Sequence, residues 1–244
     1  MIATRGSERV AFEVQWSAQD LDTFRLRQDR YASDGIRGCW LYRGEIRARD
    51  ERSLPLIELK RSDERIAVIK LGGRDNGVRE FVNLLLGGHI RFSSRLATRM
   101  RVSFVDYDCW CCGKRAHVYY AQQFNRCTRN CGLAFTDEID TFDARVIALV
   151  RNWLAQEGRS AGIQLGAIKR RYSRTVESSY LSFGCPHCDA LFGDWFIRQV
   201  LWDAIYDEYA AATLEVDAVP IGLRAERGHW CHDAADAAPI ERAA

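Results

Sequence analysis

Two short cysteine hooks, Cys109-x2-Cys112 and Cys185-x2-Cys188, constrain this chain more than any other feature. Each hook can present two thiolates to one metal ion, and two hooks together supply the four-sulfur tetrahedron of a structural zinc ribbon. Both follow strand-like runs. Gly113 eases the tight turn that such a knuckle needs, and Pro186 stiffens the second hook. The long interval between the hooks is no obstacle, because a closed site requires only that they meet in space. A C-x2-C pair can also be a redox dithiol or a set of buried thiols, but a redox motif is not expected twice with knuckle-like flanks. Cys111 competes with Cys112 for the first hook.

The remaining cysteines are read separately. Cys127-x3-Cys131 is as much a turn with two unpaired thiols as half of a second metal site. Cys39, inside the apolar run GCWLY, reads as core packing. Cys231 with His229 and His232 lies in a stretch from Gly228 onward that turns rich in alanine and aspartate, and is expected to be a solvated trio in a frayed tail over 228–244. His89, His117 and His187 show no partner spacing.

The chain has 244 residues, enough for one large or two small domains, with 47% apolar and 28% charged residues. Its net charge of +2 argues neither for nor against a nucleic-acid partner, so local patches must decide. No run approaches the roughly 18 apolar residues of a membrane span, and MIATRGSERV lacks the apolar core of a signal peptide. The expectation is a cytoplasmic protein with no membrane partner, in which nine cysteines point to metal rather than to disulfides.

Periodicity predicts an α+β chain. A strand is expected over 8–16, a helix from Ser17 as N-cap with Leu21, Phe24, Gln28 and Tyr31 on one stripe, and a strand over 36–43 after Gly35. A polar connection at 44–53 is the expected domain boundary. A hairpin at 54–59 and 66–71 and a helix at 78–88 follow, then strands near 89–93 and 101–107. A helix at 143–158, strands at 163–170 and 176–183, a helical or mixed stretch to about 210, and the run TLEVDAV complete the reading. The resulting division is 1–44 and 54–227, with the tail beyond.

Within the first strand, FEVQWS, Glu13 and Gln15 share one face because strand side chains alternate. Alone they would suit the solvated face of an edge strand. Arg27 and Tyr31 are one helical turn apart and offer a cation and a hydroxyl to a phosphate backbone, with Arg25 and Arg30 nearby.

AFEVQWS followed by RQDRYASDGIRGCWLYR resembles the competence protein CoiA-like family of bacterial nuclease-like proteins. The matching positions are Glu13, Gln15 and Ser17, then Arg27, Gln28 and Tyr31, then Gly35-Ile36-Arg37 leading to Trp40-Leu41. CPHCDALFGDWF is similar to the zinc-bearing C-terminal part of some members. The resemblance implies a restriction-endonuclease-like core of the PD-(D/E)xK kind, a role in DNA transformation or recombination, DNA as substrate and protein partners in recombination. It would make Glu13 a ligand of Mg²⁺ or Mn²⁺ and Gln15 the group that positions water or phosphate. Ser17, Arg27 and Tyr31 would then hold the strand.

Such a site needs a second carboxylate, since Mg²⁺ demands several hard oxygens. The family pattern places it on a strand before Glu13, which puts it at or upstream of Met1. Either the start of the chain has been set too far downstream, which is the expectation, or that half-site has been lost. The alternative function is a zinc-ribbon nucleic-acid-binding or scaffold protein without catalysis. Four cysteines would close the coordination sphere of zinc, so zinc catalysis is not expected.

Overall fold

The structure is a computed structural model that describes residues 1–17, 19–43, 54–61, 67–71, 74–129, 131–158, 160–224 and 227–232. Among the described residues the fold is mixed α+β, with four α-helices and three sheets. In chain order the elements are β1 (Ile2–Arg5), β2 (Glu8–Gln15), α1 (Leu21–Ser33), β3 (Arg37–Tyr42), β4 (Leu56–Arg61), β5 (Ala67–Leu71), β6 (Arg74–Gly77), α2 (Val78–Leu86), β7 (Ile90–Asp108), β8 (Arg115–Cys127), β9 (Ala134–Ile139), α3 (Ala144–Trp153), β10 (Lys169–Ser173), β11 (Ser178–Ser182), α4 (Asp194–Tyr206), β12 (Ala212–Asp217) and β13 (Gly228–His232). The last turn of α3 continues as a π-helical turn over Leu154–Gly158.

The chain divides into two units, one of residues 1–96, 126–134 and 225–244, the other of residues 97–125 and 135–224. The division falls at Leu96 rather than in the expected connection at 44–53, which lies outside the described residues. The reason is visible in the pairing: β4 aligns parallel to β3, with Trp40 opposite Leu56 and Tyr42 opposite Glu58, so both sides of that connection belong to one sheet.

In the first unit the sheet order is β1-β2-β3-β4-β5-β6. Gly6, at φ +59°, turns β1 back antiparallel onto β2, a left-handed conformation that glycine adopts without steric cost. The chain then crosses through α1 to lay β3 parallel to β2, with Glu13 opposite Trp40 and Gln15 opposite Tyr42. Alternation separates two apolar faces. Val10, Phe12, Cys39, Leu41 and Ile57 pack with Phe81 and Leu85 of α2 and with Ile90. On the other face Trp40, Leu54 and Leu56 pack with Phe24 of α1. Burial pushes the Cys39 thiol up to about 12, in keeping with a packing role.

The start of α1 differs from expectation. Asp20, not Ser17, is the N-cap, and its carboxylate accepts from Thr23 N at 2.8 Å and from Thr23 Oγ1 at 2.7 Å. An aspartate three residues before a hydroxyl satisfies one of the orphan amides at a helix start and also suits the helix dipole. The helix ends on Gly35 at φ +66°, where Gly35 N donates to Ala32 O and Ile36 N to Tyr31 O, the paired bonds of a Schellman stop.

In the second unit β12, β7, β8 and β9 are successive sheet neighbours, and β10 pairs with β11 as a separate hairpin. Met100, Val102, Phe104, Val118 and Tyr119 from the long strands pack with Val146 and Val150 of α3 and with Phe183 and Phe192. Trp153 stacks on Phe104 at 4.9 Å between ring centres. Where two strands were expected near 89–93 and 101–107, one 19-residue strand runs from Ile90 to Asp108. The strand expected over 163–170 is shorter, beginning at Lys169. A strand at 228–232 stands where a frayed tail was expected, while residues 233–244 lie outside the described residues.

No helix among the described residues is long and apolar enough to cross a membrane.

Candidate metal centres and the Glu13 corner

The four cysteines of the two hooks converge in the second unit. The connection from β7 to β8 carries Cys109 and Cys112, and the loop after β11 carries Cys185 and Cys188. Their sulfurs all lie within 4.8 Å of one another, with Cys109 3.6 Å from Cys188 and Cys112 3.7 Å from Cys185. A tetrahedral ion with metal–sulfur bonds of about 2.3 Å spaces its sulfurs about 3.8 Å apart, so the site fits a metal ion such as zinc. Cys112 belongs to the group and Cys111 does not.

The two hooks have one geometry. Gly113 N donates to Cys109 O at 2.8 Å, and Asp189 N donates to Cys185 O at 3.0 Å. Cys109 N then donates to Lys114 O and Cys185 N to Ala190 O. Both turns need a left-handed residue four places after the first cysteine, supplied by Gly113 at φ +68° and by Asp189 at φ +58°. Aspartate tolerates this region better than most residues, and here Lys169 and Arg171 hold its carboxylate at 2.6 Å each. His187 N donates to Cys185 Sγ, while the His187 ring meets Arg115 O, away from the sulfurs.

Cys109 and Cys188 are pushed in opposite directions. Burial opposes ionisation of Cys109, but the amides of Cys112 and Cys111 and the thiols of Cys185 and Cys188 bring it down to about 7. Ala190 N draws Cys188 down, yet burial and the three neighbouring thiols hold it up at about 12. One thiolate forms readily and opposes the next; a bound dication reverses that order by favouring every thiolate at once.

The sequence-predicted residues of the first strand form a separate corner in the first unit. Glu13, half-buried on β2, faces α1. Its Oε2 lies 2.8 Å from Arg27 Nη2, and its Oε1 accepts from the Tyr31 hydroxyl. The hydrogen bond to Glu13, together with burial, raises the pKa of Tyr31 above that of an ordinary tyrosine. The Arg27 guanidinium lies 4.8 Å over the Trp40 ring, whose Nε1 donates to Gln28 Oε1 at 3.0 Å. Gln15 is turned elsewhere: its Nε2 donates to Ser17 O at 3.0 Å and to Ser17 Oγ at 3.2 Å. The structure therefore joins Glu13 with Arg27 and Tyr31, and Gln15 with Ser17. Among the described residues, no group of three or more possible metal ligands includes Glu13.

A second sulfur-rich group was not expected as a unit. Cys127, Cys131, His229 and Cys231 bring their ligand atoms within 4.8 Å of one another in the first unit. The solvated trio read at residues 229–232 is corrected for His229 and Cys231, both of which are buried. The available signal was His229-x-Cys231, two ligands on one face of a strand; the alanine-rich surroundings masked the strand itself.

No family model matches the chain, and no curated protein or solved structure matches it either.

Proposed function

We propose that this protein is a zinc-stabilised, non-catalytic nucleic-acid-binding protein of the CoiA-like kind, one that binds single-stranded DNA in transformation or recombination. The metal of the four-cysteine site is zinc, closed by four thiolates and therefore structural. The observation that carries the reading is an aromatic groove of about 630 Å³ in the second unit, lined by Tyr107, Trp110, Val176, Tyr180, Trp195 and Phe196 among others.

Trp110, Trp195 and Phe196 are 70%, 77% and 66% exposed, an arrangement costly to leave in water without a partner. Trp110 is nonetheless fixed in place. It sits inside the first metal hook, and its indole N–H donates to Leu191 O at 2.9 Å. Gly193, the N-cap of α4 at the groove, provides no side-chain acceptor, which leaves amide N–H groups for a phosphate oxygen. The one charged side chain among the lining residues is Asp194, whose charge Arg198 of α4 offsets, and Arg170 and Arg174 of the β10–β11 hairpin are exposed. Exposed flat rings are what an unpaired strand uses for stacking without sequence readout.

Fluorescence anisotropy with a labelled oligothymidylate tests this. Binding should weaken as salt rises, and Trp110→Ala or Trp195→Ala should each cost about 1–3 kcal/mol of affinity. Absence of binding at low salt by a folded, metal-loaded chain overturns the reading.

A nuclease is the second reading. What favours it is the path of β1, β2, α1 and β3, which turns Glu13 toward α1, with Gln15 on the same face of the strand, in the order the resemblance implies. Against it, both carboxylate oxygens of Glu13 are engaged by Arg27 and Tyr31. A divalent cation would have to displace Arg27 and recruit further oxygens. DNA cutting in Mg²⁺ or Mn²⁺ that is abolished by Glu13→Ala in a folded chain would decide for this reading.

A further inference from the structure

We infer that Cys127, Cys131, His229 and Cys231 form a second structural zinc site, one that fastens the strand β13 to the first unit. The site lies apart in sequence from the four-cysteine centre and shares none of its residues. Cys127 Sγ is 3.9 Å from Cys231 Sγ, and Cys131 Sγ is 3.4 Å from His229 Nε2. Zinc bonds of about 2.3 Å to sulfur and about 2.0 Å to nitrogen give tetrahedron edges of about 3.8 and 3.5 Å, and the two spacings match in that order. A polynuclear iron–sulfur cluster sets ligands on different irons farther apart than here, where all four ligand atoms lie within 4.8 Å of one another. Soft thiolates with one imidazole favour zinc over the hard cations.

The backbone supports a built site. Cys127 ends β8, and Arg129 N donates to Cys127 Sγ at 3.3 Å, just as His187 N does to Cys185 Sγ in the other centre. Gly132 follows Cys131 at φ +78°. Thr128 N and Oγ1 both bond Ser94 O, at 3.2 and 3.0 Å, tying this turn to β7. β13 reaches the same stretch of β7 from the other end of the chain, with Gly228 opposite Ser94 and Cys231 opposite Arg91.

Alternation on β13 then divides its work. His229 and Cys231 share one face, and Trp230 takes the other. Trp230 packs edge-on against Phe81 and Phe92 at 5.9 and 5.6 Å and donates to Leu56 O at 3.0 Å. Gly228 is required at the entry, because a Cβ there would stand 2.4 Å from the Phe92 ring. The ion would join two segments whose nearest ligands, Cys131 and His229, are 98 positions apart, and in doing so hold Trp230 in the core.

Metal analysis of the full chain, purified under reducing conditions, tests this. Two zinc ions per chain are expected, falling to one in Cys112→Ser and to one in Cys131→Ser. Because either variant can misfold, the unaltered chain is also reloaded with Co²⁺. Two equivalents should bind tetrahedrally, with sulfur-to-cobalt charge transfer rising in steps of four and three thiolates. Removing the second equivalent should expose Trp230, read as a red shift of its emission and faster cleavage near residue 228. Two equivalents that both survive Cys131→Ser, or a Cys127–Cys231 disulfide in the reduced preparation, overturn the inference. A loss of DNA binding with both metals in place touches only the proposed function.

Discussion

At Gly38 the first unit has no room for a side chain. A Cβ there would stand 2.0 Å from Gln28 Oε1, the atom that accepts from the fully buried Trp40 indole. Gly38→Ala must therefore push Gln28 aside and leave a buried donor without its partner, a loss of about 1–3 kcal/mol in urea unfolding. Gln28→Ala orphans the same indole, so the double variant should be little worse than either single one; full additivity would show that the two residues do not share this contact. The Glu13 corner gives a second residue-scale outcome. Tyr31 holds its proton more tightly than usual because Glu13 accepts it, so the bond's contribution to stability is complete below the ordinary tyrosine range and is lost as pH rises through the raised folded value. In Glu13→Gln the acceptor is neutral, and tyrosinate absorbance should show one tyrosine moving down toward 10. An unchanged titration curve would mean that Glu13 does not govern Tyr31. At this scale the sequence was legible where alternation and helical spacing act alone. FEVQ fixes which face Glu13 takes, and Arg27 and Tyr31 fall on the turn that meets it. That Arg27 would close on Glu13 itself was not legible, since spacing places two groups near each other without saying which one either will bind.

Helix starts show where element-scale reading succeeds and where it slips. Asp20→Ala should cost about 1 kcal/mol of stability, whereas Ser17→Ala should change it by no more than about 0.5 kcal/mol, because Asp20 and not Ser17 bonds Thr23. Equal effects would overturn that assignment. The α3 start adds a pH dependence. Asp143 caps Arg145 N at 2.8 Å and pairs with the Arg145 side chain at 2.7 Å, which holds its carboxyl below the usual range. A lowered carboxyl stabilises the fold above the unfolded value, near 3.8, and loses that contribution as pH falls through the folded one. Asp143→Asn should thus be less stable than the parent at neutral pH, with the gap closing in acid; metal loss at low pH affects both chains alike and drops out of the difference. The helices, with periodic stripes and glycine stops, were largely readable. The long strands were not. Residues 93–98 of β7, SSRLAT followed by Arg99, have too little apolar alternation to announce a strand, yet Ala212–Asp217 pairs along Arg99–Phe104 and Gly228–His232 along Ile90–Ser94. Non-local pairing supplies there what the local pattern lacks.

Each unit of the molecule has its own buried residues and its own group of side chains that could hold a metal ion. Cys109 and Cys185 are themselves members of the second unit's core, in contact with the cluster that holds Phe104, Tyr119 and Phe192. The first unit's clusters, around Trp40 and Phe81, include none of those residues. Loss of the four-cysteine ion should then act unevenly. A structural metal binds the folded state and not the unfolded one, so its removal lowers stability in the unit whose ligands it joins. Hydrogen exchange on Cys112→Ser should show amides of 97–125 and 135–224 losing protection by tenfold or more, while those of β2 and β3 keep theirs. The expected outcome rests on separate cores: protection lost to the same degree at Phe12 and at Val118 would mean that the chain unfolds as a single cooperative body, and that β7 and β8, which pass from one unit into the other, transmit the loss of metal to both.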